Sequence, residues 1–196
     1  MDTRSDAYAA RLVAHQRLWW KRLLRVQAIY QWNLRRQHLG RTLDVGCGLG
    51  RNLVSLERGS VGVDHNATSV AHARSLGLSA FTVEEFLAGP DARPDAFDSL
   101  LLAHVVEHMP VEQARELLST YLRFLRPGGR VLFICPQEKG YASDETHVTW
   151  TDGAALEQLA RDCGLEPEPW RSFPFPRAAG KVFTYNEFVV TARKAG

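Results

Sequence analysis

An acid, three alternating glycines and a second acid twenty residues later form the most chemically loaded stretch of the chain: Asp44-Val45-Gly46-Cys47-Gly48-Leu49-Gly50, then Asp64. Glycines at this spacing allow a sharp turn and leave no side chain between the backbone and a ligand. A carboxylate closing the next strand can accept hydrogen bonds from both hydroxyls of a ribose. The usual dinucleotide pattern wants glycine at 46, 48 and 51, but position 51 is Arg, and no Gly-Lys-Ser/Thr follows for a triphosphate. Asp44, directly or through water, can face an ammonium group. The loop therefore suits a ligand with ribose, a cationic amine and little phosphate.

A second cluster lies at Ala103-His104-Val105-Val106-Glu107-His108-Met109-Pro110, and a further imidazole at His147. His104 is the candidate base or acceptor-positioning residue, because an unperturbed imidazole titrates near ~6.5. His147 is the second candidate. Together His104, Glu107, His108 and His147 have ligand chemistry suited to a divalent ion, but they are scattered over separate loops and no metal is assigned to them.

Elements of two periods must position these residues. Residues 7 to about 38 carry Tyr8, Leu12, Trp19, Leu23, Val26, Tyr30 and Leu34 near helical spacing. Short apolar strands are expected at 41–46, 60–64, 78–83, 97–103 and 130–136. Helices are expected at 49–57, 66–76, 111–125 and 151–163, the last capped by Thr151 or Asp152. Strands alternating with helices point to a parallel sheet with right-handed crossovers. Extended segments at 168–174 and 185–193, with residues 178–181 between them, predict a closing antiparallel hairpin. Residues 1–39 are expected to form a helical cap over the active site, and 40–196 a single ligand-binding domain.

The composition is that of a folded soluble protein: 196 residues, 45% hydrophobic and 23% charged. No stretch approaches the ~18 uncharged apolar residues of a membrane span. Three widely spaced cysteines, Cys47, Cys135 and Cys163, suggest neither a disulfide framework nor a metal motif, and predict a reducing, cytoplasmic setting. The net charge of +2 conceals a basic leading segment, with eight basic against two acidic side chains over 1–39. That segment allows peripheral contact with a membrane surface. No nucleic-acid partner is expected, because the overall charge is modest and no binding motif occurs.

Four ordered segments carry a family resemblance. DVGCGLG resembles the first motif of class I S-adenosylmethionine-dependent methyltransferases, and VGVDHNATSVAHAR the second. FDSLLLAHVVEHM and LRPGGRVLFICP resemble their later strand motifs, and Gly50-Arg51-Asn52 is similar to the type 11, small-molecule branch. The resemblance implies a Rossmann-like three-layer sandwich: an α/β fold with a seven-stranded, mostly parallel sheet and an antiparallel C-terminal hairpin. It implies S-adenosyl-L-methionine as cofactor and S-adenosyl-L-homocysteine as product. Asp44, Gly46, Cys47, Gly48 and Gly50 would surround the methionine moiety, Asp64 would hold the ribose, and His65 would lie along the adenine. Glu84 or Glu85 would face the adenine amino group.

The Asn/Asp-Pro-Pro-Tyr/Phe tetrapeptide of relatives that methylate DNA or protein glutamine is missing at 104–107. The expected acceptor is a small organic molecule, aromatic or lipid-like, methylated on oxygen by a monomer or homodimer. Trp19, Trp20, Tyr30 and Trp32, with Tyr141, Trp150, Phe173, Phe175, Phe183 and Tyr185, could supply apolar surface for it. Two rivals stand beside this expectation. One is a cofactor-binding module without catalysis; the other, disfavoured by Arg51, is a nicotinamide-dependent oxidoreductase.

Overall fold

A computed structural model describes residues 27–196. Of the expected leading cap, Tyr8, Leu12, Trp19, Trp20, Leu23 and Val26 lie outside the described residues. Residues 27–36 are helical (α1), with Leu34 buried and Trp32 exposed beneath the Arg36 guanidinium, 4.3 Å from its ring centre. The chain forms two compact units, one ending at Pro90 and the other spanning Asp91–Gly196.

In the first unit three short strands run parallel: β1 (Thr42–Val45), β2 (Val61–Asp64) and β3 (Ala80–Thr82). The register Asp44↔Gly62 with Val45↔Val63 brings the ends of β1 and β2 level, so the glycine loop and Asp64 open at the same end. β1 and β2 are buried throughout, as expected of strands covered on both faces. Helix α2 (Ala67–Ser75) starts where the Asn66 side chain accepts the Ser69 N–H at 3.0 Å. Helix α3 (Val83–Ala88) begins in a reciprocal cap between Thr82 and Glu85.

One expected helix is not formed. After the glycine loop the chain makes a 3-10 turn at Leu53–Ser55 instead of a helix over 49–57. Gly50 at φ +83° breaks the right-handed run before it begins. No side chain caps the turn, and β-branched Val54 beside Ser55 adds little helical preference. Leu53 is instead buried against Cys47, Val70, Ala73 and Ala80.

In the second unit β4 (Phe97–Ala103) and β5 (Leu125–Pro136) are parallel, joined through α4 (Val111–Leu122). The expected helix 111–125 thus stops three residues early, and Leu125 already starts β5, which takes in the Pro-Gly-Gly stretch. A short α5 (Glu138–Tyr141) follows, then α6 (Gly153–Asp162), capped where Asp152 accepts the Ala155 N–H at 2.9 Å. β6 (Leu165–Pro167), β7 (Arg171–Phe173) and β8 (Glu187–Lys194) close the chain. β8 lies antiparallel to β5 and β6, and β7 pairs with β8 as the expected hairpin.

The fold is mixed α/β and Rossmann-like, with β1 to β3 parallel in the first unit, β4 and β5 parallel in the second, and β8 antiparallel to β5. Among the described residues it has eight strands where seven were expected, the extra one being the three-residue β6, which precedes the expected segment 168–174. The pairing Pro136↔Glu187 sets Glu187 beside the C-terminal end of β5. Among the described residues, no helix is long and apolar enough to cross a membrane.

Candidate active site

The turn after β1 is built by glycines in the left-handed region, Gly46 at φ +75°, Gly48 at +52° and Gly50 at +83°. A side chain at Gly50 would come within 2.4 Å of Leu78 Cδ1, whereas one at Gly48 would meet nothing within 4 Å. Gly50 is therefore required by packing. Gly48 borders open space, which a Cβ would take from a ligand.

The loop's amides are largely spent within the unit. Gly46 and Cys47 both donate to the Val63 carbonyl, at 2.8 and 3.1 Å, and Gly50 donates to the Cys47 carbonyl at 2.9 Å. Gly48 donates to Asp64 Oδ2 at 2.8 Å. A pyrophosphate would have to break these bonds, so the loop matches a ligand with little phosphate.

Asp44 is a buried acid beside a second one, Asp64. Its side chain is buried, and Oδ2 accepts no hydrogen bond. Burial first, and the neighbouring Asp64 charge second, push its carboxyl up to about 7, with Arg51 opposing. A buried carboxylate oxygen without a donor costs free energy until one arrives. An ammonium group from a ligand is such a donor.

Asp64 is also buried, and its second oxygen accepts the Asn66 N–H at 2.8 Å. These two amide bonds fix the carboxylate, and each oxygen keeps a further lone pair for a hydroxyl. His65 is half-exposed, with Nδ1 3.8 Å from Asp64 Oδ1. The Cys47 thiol faces the core, and burial pushes it up out of the reactive range, so only its main chain belongs to the loop.

Glu84 and Glu85 separate clearly. Glu85 accepts from Arg74 through both oxygens, at 2.6 and 3.3 Å, and from the Thr82 amide at 2.8 Å. The Arg74 guanidinium holds it below the usual carboxylate range. Glu85 is thus engaged in capping α3, while Glu84 is exposed at the same helix start.

In the second unit, His104 follows β4 at φ +60° and sits between two carboxylates. Its Nε2 lies 2.9 Å from Glu187 Oε1, and its Nδ1 lies 3.3 Å from Glu107 Oε1. Burial opposes a charge on the ring, but bonding to Glu107 and Glu187 outweighs it and pushes His104 up to about 9. Of the two expected roles, base or acceptor positioning, this geometry favours positioning. A ring that is cationic at neutral pH, with both nitrogens facing carboxylates, has no lone pair to take a proton.

Glu107 is buried beside the Cys135 thiol, which donates to Oε2 at 3.4 Å, and its carbonyl accepts the Val148 and Thr149 amides. His108 Nδ1 donates to the Thr146 carbonyl at 3.2 Å, and burial lowers its basicity. His147 Nδ1 donates to the Tyr141 carbonyl at 2.7 Å, and the ring stacks on Tyr141 at 5.0 Å. Glu187 gave no signal in the sequence, because it lies eighty-three residues from His104 and only the β5–β8 register brings them together.

A glycine turn between two buried carboxylates, on an α/β fold of this topology, suits a ligand with hydroxyl and ammonium groups. A scan against protein families matches residues 43–133 to the methyltransferase domain family. A search of curated proteins gave no match.

Solved structures with the same fold include a chain from the Haloferax volcanii complex of the Trm112 methyltransferase activator and a methyltransferase. It is 20% identical with a TM-score of 0.69, covering 98% of this chain and 96% of that one. A SAM-dependent methyltransferase from Archaeoglobus fulgidus is 19% identical with a TM-score of 0.66, covering 86% and 94%. Another from Thermotoga maritima is 18% identical with a TM-score of 0.62, covering 90% and 94%. Residues 43–133 thus match a methyltransferase domain, on the fold that these SAM-dependent methyltransferases share.

Proposed function

We propose that this enzyme methylates a small organic acceptor on oxygen, with the cofactor held by Asp44, the 46–50 loop and Asp64. The observation that carries the cofactor assignment is the buried, donorless Oδ2 of Asp44 beside three left-handed glycines. Asp44 takes the ammonium end of the ligand, Asp64 takes the ribose hydroxyls, and the bare backbone at Gly48 admits the chain between them. His65 lies along the adenine. Glu84 is assigned to the adenine amino group, since Arg74 and Thr82 occupy Glu85. The cofactor supplies a methyl group already activated on a sulfonium, so alignment of the acceptor contributes much of the rate.

His104 is assigned to positioning. As a fixed cation it balances Glu107 and Glu187 and shapes the end of β4. An acceptor served by this arrangement loses its proton readily, as a phenol or a carboxylic acid does. His104-Val105-Val106-Glu107 stands where amino-group methyltransferases carry their Pro-Pro tetrapeptide, which favours oxygen over nitrogen. Phe175, Phe183 and Tyr185 meet edge to face with centroids 5.3 and 5.7 Å apart, and Phe175 and Tyr185 are exposed. Such rings favour a flat or lipid-like acceptor. We keep residues 40–196 as the catalytic domain. The free thiols of Cys47, Cys135 and Cys163 support a cytoplasmic setting.

Turnover of methyl-labelled cofactor over a panel of phenols, carboxylic acids and amines tests this reading. Methyl ethers or esters are expected. Products methylated only on nitrogen, or none from a protein that binds the cofactor, would overturn the acceptor assignment.

A further inference from the structure

We propose that Glu107, His108 and His147 form a binding site for a borderline divalent cation of the zinc type, with a coordination position left open for an oxygen ligand. The inference lies outside the methyl-transfer reading and does not depend on it. It also revises the sequence-based expectation, which assigned no metal.

Each of the three residues offers one ligand atom, and these atoms lie within 4.8 Å of one another. The histidine tautomers follow from their partners. A carbonyl can only accept, so His108 Nδ1 donates to Thr146 O and His147 Nδ1 donates to Tyr141 O. The Thr146 hydroxyl, already donating to Asp144 Oδ1 at 2.7 Å, accepts from the same His108 nitrogen at 3.0 Å. Both Nε2 atoms are left carrying lone pairs. An Nδ1–H anchored on a backbone carbonyl is how ligating histidines are usually oriented.

Glu107 supplies a second, independent observation. Its side chain is 1% exposed, and Oε1 accepts no aligned hydrogen bond despite the His104 ring nearby. Oε1 faces His104 Nδ1 at 3.3 Å and keeps a further lone pair, which beside the two imidazole lone pairs completes a donor set for a cation.

The surrounding chain holds the set together. The Glu107 carbonyl accepts the amides of Val148 at 2.9 Å and Thr149 at 3.1 Å, which ties the His147 loop to the turn after β4. Asp144 Oδ1 accepts the Thr146 amide at 2.9 Å and fixes the other side of that loop. The two imidazoles meet at 4.7 Å with a 55° tilt, and Tyr141 stacks behind His147. Two imidazoles and one carboxylate are the set that leaves zinc-type ions a fourth, exchangeable position. Bonds of about 2.1 Å in a tetrahedron separate ligand atoms by about 3.4 Å, so the widest separation, up to 4.8 Å, must close by about 1.4 Å as the ion enters.

Titration of chelator-treated full-length protein with Co²⁺ tests the site. The expected result is one equivalent bound, with visible d–d absorption that Zn²⁺ then abolishes. His108→Gln and His147→Gln should each weaken Co²⁺ binding by at least about tenfold, while His72→Gln leaves it unchanged. Melting temperature and S-adenosylhomocysteine affinity serve as checks on folding in each variant. Absence of d–d bands at excess Co²⁺, or bands unchanged in both variants, would overturn the proposal. Should either variant fail to fold, histidine ring NMR of the wild-type protein decides. Zn²⁺ must shift Nε2 of His108 and His147, and shifts confined to other histidines would refute the site.

Discussion

Moving from about pH 8 to about pH 5.5 should weaken S-adenosylhomocysteine binding by about thirtyfold, because Asp44 must be ionised to receive the ligand's ammonium group. The magnitude comes from its environment. With the carboxyl pushed up to about 7 by burial and by Asp64, about nine-tenths of Asp44 is ionised at the higher pH and about 3% at the lower. Asp44→Asn should bind more weakly at the higher pH and show a flat profile across the range.

Stability of the ligand-free protein should run the other way. The folded pKa lies above the unfolded value of 3.8, so the contribution of Asp44 is fully present below 3.8 and is lost as pH rises through about 7. The shift sets a ceiling of about 4 kcal/mol on that loss. Removing the charge in Asp44→Asn should remove the loss. Calorimetric titration and denaturant melts over the same pH series measure both effects. A wild-type binding profile without slope, or the same slope in Asp44→Asn, would refute the assignment of the buried carboxylate to the ammonium group.

His104→Gln should cost stability most below pH 6.5, and the difference from wild type should fade as pH rises through about 9, since the raised histidine stabilises only while protonated. Its ceiling is about 3 kcal/mol, read from urea melts; a difference that grows with pH would refute the cationic assignment. Gly48→Ala should lower the melting temperature through the strain of a Cβ at φ +52°, and lower S-adenosylhomocysteine affinity further, because the space its Cβ would take is open in the ligand-free fold. Gly62→Ala is expected to destabilise by roughly 1–3 kcal/mol, because its Cβ would lie 2.7 Å from Cys47 Sγ. Glu84→Gln should weaken cofactor binding with little change in melting temperature, whereas Glu85→Gln should lower the melting temperature by removing the Arg74 pair and the α3 cap.

The part of the site built from neighbouring residues was legible in the sequence. Alternating glycines between two acids report a local turn, and strand periodicity placed Asp44 and Asp64 at the ends of β1 and β2. The missing helix at 49–57 was not legible, because its apolar spacing is helical and only the left-handed Gly50 and the burial of Leu53 override it. The role of His104 was hidden for a different reason. Its type suggested a base, but its two ring nitrogens face Glu107 and Glu187, and the second of these is delivered by the register of the last strand. The pairing of Glu85 with Arg74, which lies on another helix, was likewise out of reach of local spacing.

Equilibrium titration of S-adenosylhomocysteine into wild-type protein and Asp64→Ala, with melting temperatures measured alongside, tests most directly whether the turn after β1 and the end of β2 form the cofactor site. The wild-type protein should bind one equivalent with micromolar affinity. The folded variant should lose at least about tenfold, since the ribose loses its acceptor and the Gly48 amide loses its anchor. No binding by the wild-type protein, or equal affinity in the two, would contradict the site described.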